Sequence, residues 1–224
     1  MSAANKNDHP SAARSLETLC QTYWLPLYTY VRGQGESPHD AQDLTQEFFA
    51  RFLEKDYLAA VDRKKGRFRS FLLASLKHFL SNQRDRAKAQ KRGGGVIPLS
   101  LDFSDAESRA GFQVADSQTP EKAFERRWAM TLLERSMARL RQEYAGRGAE
   151  PLFEQLKTTL TEDATARYAE IAARLGLSEA AVKMAAHRLK RRYREVLRLE
   201  IAETVAEESE VEDELRQLMR ALSQ

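Results

Sequence analysis

The sequence is poor in cysteine and in long apolar runs. Its single cysteine, Cys20, excludes an intrachain disulfide and cannot hold a metal site alone, as is typical of proteins in a reducing compartment. No uninterrupted apolar run approaches membrane-spanning length, and the opening MSAANKNDHPSAAR lacks the apolar core of a signal peptide. We therefore expect a cytoplasmic protein with no membrane partner.

Catalytic motifs are also missing. The four histidines, His9, His39, His78 and His187, are scattered along the chain, and there is no HExxH, no CxxC and no serine-centred nucleophile elbow. We expect no enzyme activity, no metal or other cofactor and no small-molecule substrate.

Apolar residues recur at three- and four-residue steps, the spacing of amphipathic helices, and polar or glycine-rich stretches interrupt them. At 224 residues the chain fits two small domains better than one large one. The sequence therefore predicts an all-α protein with two small helical domains on a flexible linker. The expected ranges are a disordered N-terminus at 1–13, a helical bundle at 14–92, the linker at 93–119, a helix-turn-helix domain at 120–200 and an acidic amphipathic extension at 201–224.

The stretch YAEIAARLGLSEAAVKMAAHRLKRRYR, residues 168–194, predicts the helix-turn-helix. Gly176 falls where the turn needs a positive φ, Leu177 is expected to point inward, and Ser178 is placed to cap the second helix. The apolar positions expected to be buried are Ile171, Ala172, Leu175, Ala181, Val182, Ala185 and Leu189. An ordinary helical hairpin is the alternative, but the cationic second helix favours DNA binding.

The net charge is only +3, but its signs are segregated. Eleven Lys and Arg residues lie between Asp62 and Arg92. A phosphate-binding track explains this concentration of positive charge, and a solubilising surface is the alternative explanation. Phe68 and Phe71 lie among the arginines, where aromatic rings can stack on single-stranded bases or simply belong to the core.

Acidic residues form two other groups. Asp40, Asp43, Glu47 and Glu54 share one face of a predicted helix, which is consistent with a solvated face, a docking surface for a basic partner or a metal site. The C-terminal segment alternates Glu and Asp with helically spaced apolar residues. This segment either packs on its own domain or masks a basic surface.

Three of these stretches, in this order, resemble bacterial RNA polymerase sigma factors of the extracytoplasmic-function class in the sigma-70 family. DAQDLTQEFFARFLEKDYL at 40–58 is similar to the helix that binds core polymerase, and GRFRSFLLASLKHFLSNQRDRAKAQKR at 66–92 to the helix that melts DNA and recognises the minus-ten element. YAEIAARLGLSEAAVKMAAHRLKRRYREVLR at 168–198 is similar to the helix-turn-helix that binds the minus-thirty-five element. The acidic tail resembles an extension that some members carry.

The resemblance implies a role in promoter recognition and transcription initiation, with promoter DNA and core RNA polymerase, through its clamp helices and flap, as partners. An anti-sigma factor or other inhibitory partner stays open. Core-polymerase binding is implied for Asp43, Gln46 and Glu47. Minus-ten DNA binding is implied for Arg67, Phe68, Arg69, Phe71, Lys77, His78, Ser81, Asn82, Arg84 and Arg86. Minus-thirty-five binding is implied for Ser178, Glu179, Lys183, His187, Arg188 and Arg191.

Two other functions fit the residues. One is a stand-alone helix-turn-helix regulator whose N-terminal domain dimerises or senses a signal. The other is a helical adaptor whose basic patches bind RNA.

Overall fold

A computed structural model describes residues 9–54, 68–89, 105–110, 119–160, 167–205 and 207–223. Within these ranges the regular structure is helical and no strand occurs, which confirms the all-α prediction. The chain divides into two compact units. Unit 1 comprises Met1–Thr131 and Ala202–Gln224, and unit 2 comprises Leu132–Ile201.

Unit 1 is built on helices whose starts are set by short-range capping. It contains α1 (His9–Gly33), α2 (Pro38–Glu54), α3 (Phe68–Ala89), α4 (Ala106–Ala110), the first part of α5 (Pro120–Ala145) and α9 (Val211–Leu222). The Asp40 N–H donates to Ser37 Oγ at 3.1 Å, and the Lys122 N–H donates to Thr119 Oγ1 at 3.3 Å. A proline follows each capping residue, and α2 and α5 begin at these prolines, Pro38 and Pro120.

The core of unit 1 is rich in aromatic residues from distant parts of the chain. Tyr23, Tyr28, Phe124 and Trp128 are each at most 2% exposed. Burying four rings of this size supplies a large part of the apolar surface that a small unit must remove from water. Gly33 lies against Pro120, where a Cβ on the glycine would come within 3.1 Å of the proline ring.

Unit 2 contains the rest of α5, α6 (Glu150–Leu156), a 3-10 turn (Lys157–Leu160), α7 (Tyr168–Leu175) and α8 (Glu179–Ala202) up to Ile201. Its buried side chains include Leu140, Phe153, Leu156, Val182 and Leu189. The cluster joins all four helices, so the helix-turn-helix is integral to this core.

The boundaries of the units differ from the expected ranges. The division falls inside α5, after Thr131, and the C-terminal extension groups with unit 1. Part of the expected linker is helical, since α4 packs on α1 through hydrogen bonds from Tyr28 and Arg32 to Glu107. Helix α1 already begins at His9, within the range expected to be disordered.

Candidate nucleic-acid interface

The turn of the helix-turn-helix has the geometry that its sequence predicts. Gly176 ends α7 with φ 64° and ψ 30°, and the Leu177 N–H donates to the Ala172 carbonyl at 3.0 Å, as in a Schellman turn. Ser178 Oγ then accepts the Ala181 N–H at 3.2 Å, which satisfies one of the free donors at the start of α8. Glycine and serine therefore fix the angle at which α8 leaves α7.

Two apolar residues near this turn point to solvent, contrary to the prediction. Leu177 is 43% exposed and Ala181 is also exposed, whereas Ala186 is buried. Positions 182, 185, 186 and 189 form one stripe of a 3.6-residue helix. Position 181 lies at the edge of this stripe, about 90° from its centre, and its side chain is exposed there.

The outer face of α8 carries the predicted minus-thirty-five residues. All of them are exposed: Ser178, Glu179, Lys183, His187, Arg188 and Arg191. Arg191 lies 3.4 Å from Glu195, but within the described part of the chain no carboxylate pairs with Lys183 or Arg188. Uncompensated cations on an exposed helix face are available for phosphates or guanine edges.

Met184 was not among the predicted residues, and it is 60% exposed on the same face. Met184 lies about one helical turn after Ala181 in α8, and both residues are exposed, as is Leu177 in the preceding turn. Apolar side chains at this place can contact thymine methyl groups in the major groove. From the sequence, Leu177 and Ala181 were assigned to the core, and Met184 was assigned neither to the core nor to the interface.

Ion pairs hold α8 on α5 within unit 2. Arg192 donates to both oxygens of Glu143 at 2.8 and 2.7 Å, and this bond holds the pKa of Glu143 below its usual range. Glu200 is 4% exposed and accepts hydrogen bonds from Arg135 and Arg139 at 2.8 and 3.1 Å. These pairs orient the helix that bears the cationic face.

In unit 1, α3 presents a second polar row. Lys77, His78, Ser81, Asn82 and Arg84 are all exposed there. His78 Nδ1 and Asn82 Nδ2 lie 3.0 Å apart. The row therefore has the exposure that the predicted phosphate track requires, with polar side chains on one helical face.

Residues of α1 complete the surface beside this row. Tyr30 and Gln34 line a cleft of about 360 Å³ together with Lys77, Ser81 and Arg84. The Lys77 ammonium lies 2.7 Å from Glu121, which raises the pKa of Lys77, and Arg84 lies 3.5 Å from Glu36. Tyr30 and Gln34 were not predicted, because nothing in the local spacing indicates that α1 faces α3.

Arg69 does not belong to the exposed row, contrary to the prediction that it contacts DNA. It is 3% exposed, pairs with Glu125 and lies 3.5 Å from Glu214. Its guanidinium carbon lies 3.9 Å from the centroid of the Trp128 ring. These partners come from α5 and α9, and they occupy the guanidinium inside unit 1.

The two phenylalanines of the predicted base-stacking surface lie against aromatic rings of the unit. Phe68 meets Tyr23 edge-on at 5.5 Å and Phe71 lies 6.3 Å from Phe52, both being half-buried. These contacts favour the core alternative for both rings. Arg67 lies outside the described residues, as does the side chain of Arg86.

The predicted polymerase-binding face on α2 is only partly exposed. Asp43 is 65% exposed beside His39, Gln46 is half-buried, and Glu47 is 19% exposed. Glu47 pairs with Arg51 and accepts a hydrogen bond from Gln83. Of the three residues, Asp43 is the most accessible to a basic partner.

No protein-family model, curated protein or solved structure matches the chain. Across the described ranges, no helix has the length and apolar character needed to cross a membrane. In the same ranges, no cluster of three or more His, Cys, Asp or Glu side chains is arranged to hold a metal ion.

Proposed function

We propose that this chain is a sigma factor of the extracytoplasmic-function type, which binds core RNA polymerase and directs it to promoters. The observation that carries the proposal is the outer face of α8, where Lys183, His187, Arg188 and Arg191 are exposed directly after a glycine-closed turn. In a helix-turn-helix this is the face that enters the major groove.

The row on α3 supports a second DNA contact in the other unit. Lys77, Ser81 and Arg84 border an open cleft, and phosphate contacts from such a row need no sequence preference. Two basic surfaces in separate compact units suit a bipartite promoter site better than one operator half-site. Cytoplasmic location and an optional inhibitory partner belong to the same proposal.

Asp43 tests the polymerase part of the proposal. In Asp43→Lys an exposed carboxylate becomes a cation, and it would then repel the basic clamp helices that the proposal invokes. We expect binding to purified core polymerase to weaken at least tenfold, with duplex-DNA affinity unchanged. Biolayer interferometry with immobilised core polymerase measures the first quantity, and fluorescence anisotropy measures the second.

Asp213→Lys is the matched control for this charge reversal. Asp213 is an exposed carboxylate of the same unit, on α9, and its partner Arg216 is also exposed. The control should bind core polymerase like the wild type. Equal loss in both variants, or no binding by the wild type, would refute the polymerase assignment.

A stand-alone DNA-binding regulator is the second candidate, and one observation favours it. Glu47 is engaged by Arg51 and Gln83, which leaves Asp43, beside His39, as the more accessible acid of the expected docking surface. Under this function the wild-type chain binds a duplex operator but not core polymerase, so the same two assays separate the candidates.

A further inference from the structure

Unit 2 contains a basic cleft of about 360 Å³ that shares Arg188 and Arg191 with the helix-turn-helix face and extends beyond that face to α5 and α6. It is lined by Tyr144 at the end of α5, by Arg147 in the following turn, by Leu152 of α6, and by Arg188, Arg191, Arg192 and the acidic Glu195 of α8. Four guanidinium groups therefore border one small opening whose wall is partly apolar.

The turn after α5 fixes Arg147 beside Tyr144. The N–H groups of Arg147, Gly148 and Ala149 return to carbonyls of the last turn of α5 at 3.1, 2.9 and 2.9 Å. Gly148 has φ 66°, a conformation that costs a residue with a Cβ about 1 to 2 kcal/mol. This local constraint places Arg147 at the rim of the cleft.

Tyr144 lines the cleft and is held by packing of its ring. The ring packs on Phe153 with centroids 5.6 Å apart, and burial raises its pKa while Arg147 and Arg188 act in the opposite direction. Arg147 and Arg188 line the same cleft as this ring. The protonated hydroxyl is a hydrogen-bond donor at physiological pH.

The charges of the cleft are unevenly compensated. Arg192 is bound by Glu143 and Glu195, and Arg191 lies 3.4 Å from Glu195. Within the described ranges, no ion pair joins Arg147 or Arg188 to a carboxylate, although Arg147 contributes to the lowered pKa of Glu143. Two unpaired guanidinium groups and a phenol around a small opening are suitable donors for the oxygens of a phosphate group.

We propose that Tyr144, Arg147 and Arg188 form a seat for one backbone phosphate of the duplex that α8 binds. The inference rests on the proposed function only in taking duplex DNA as the ligand. This phosphate site adjoins the base-contacting face of α8, because Arg188 belongs to the cleft and to that face. A phosphate held there would fix the register of α8 in the groove without reading sequence.

Arg147→Gln and Tyr144→Phe test the seat, with Arg141→Gln as the matched control. Arg141 is an exposed arginine of the same unit, so Arg141→Gln changes the net charge by the same amount as Arg147→Gln. Unlike Arg147, Arg141 is paired with Glu150 and Glu154. Tyr144→Phe keeps the ring on Phe153 and removes only the hydroxyl. The probes are two fluorescent 24-base-pair duplexes of unrelated sequence, and circular dichroism verifies that each variant folds.

We expect Arg147→Gln to weaken binding of both duplexes about tenfold. The negative slope of log K against log salt concentration should become less steep by about 0.9, because one phosphate contact is lost. Tyr144→Phe should weaken both less, by about threefold, because it removes one neutral donor. Arg141→Gln should leave affinity and salt slope close to those of the wild type.

The seat is overturned if duplex binding by Arg147→Gln equals that of the control. If inorganic phosphate alone then gives an Arg147-dependent response, the cleft belongs to a free phosphorylated ligand; if it gives none, the cleft holds no phosphate. Either result leaves the sigma-factor proposal standing, because core-polymerase binding is measured separately.

Discussion

Replacing Glu214 is expected to destabilise unit 1, because this C-terminal residue is buried against Arg69. The side chains of Arg69 and Glu214 are 3% and 4% exposed, and their nearest atoms are 3.5 Å apart. Removing one partner of a buried ion pair typically costs about 3 to 5 kcal/mol. Arg69 keeps Glu125 and the face of Trp128, so we expect about 3 kcal/mol for Glu214→Gln.

Tryptophan fluorescence during urea unfolding measures this loss selectively. Trp24 and Trp128 are the only tryptophans, and both belong to unit 1. Asp213→Asn is the control, because its exposed pair with Arg216 contributes at most about 0.5 kcal/mol. If Glu214→Gln unfolds at the same urea concentration as the control, then α9 does not stabilise unit 1 and the reasoning is wrong.

Three further perturbations follow from local features. Gly176→Ala should lower the free energy of unfolding by about 1 kcal/mol, measured by thermal circular dichroism, because φ is 64° although a Cβ would meet no atom within 4 Å. The Glu143–Arg192 pair should stabilise unit 2 fully at pH values above the ordinary carboxyl pKa, and this stabilisation should be lost as the pH falls through the lowered pKa of Glu143. Glu143→Gln should therefore flatten the acid side of the curve of unfolding free energy against pH. Deleting residues 205–224 should destabilise unit 1, and it should raise duplex affinity only if the extension masks a basic surface.

Short-range features of the fold were predictable from the sequence. Ser37, Thr119 and Ser178 cap helices, and Gly176 closes the turn. Each effect depends on neighbours within about five residues, so the local sequence is enough to predict it. Helical periodicity likewise identified most of the buried face of the helix-turn-helix.

Long-range partners were not predictable in this way. Arg69 lies among other arginines in sequence, and only the folded unit brings Glu125 and Glu214 to it. The same applies to Tyr30 and Gln34, which reach the α3 row by helix packing. Leu177 was misassigned because hydrophobicity alone does not distinguish a core residue from an apolar contact surface.

The sigma-factor proposal unites the basic faces of the two units, but each face alone is compatible with simple DNA binding. What separates these functions is dependence on core polymerase. A regulator can alter transcription by a complete polymerase, whereas a sigma factor confers promoter recognition on a core enzyme that lacks it.

Reconstituted transcription therefore tests the central claim most directly. Core RNA polymerase without another sigma factor is mixed with the purified chain and a promoter library, and run-off transcripts are sequenced. The proposal predicts discrete start sites that require the chain and disappear with Asp43→Lys. Transcripts that are the same with and without the chain would contradict it.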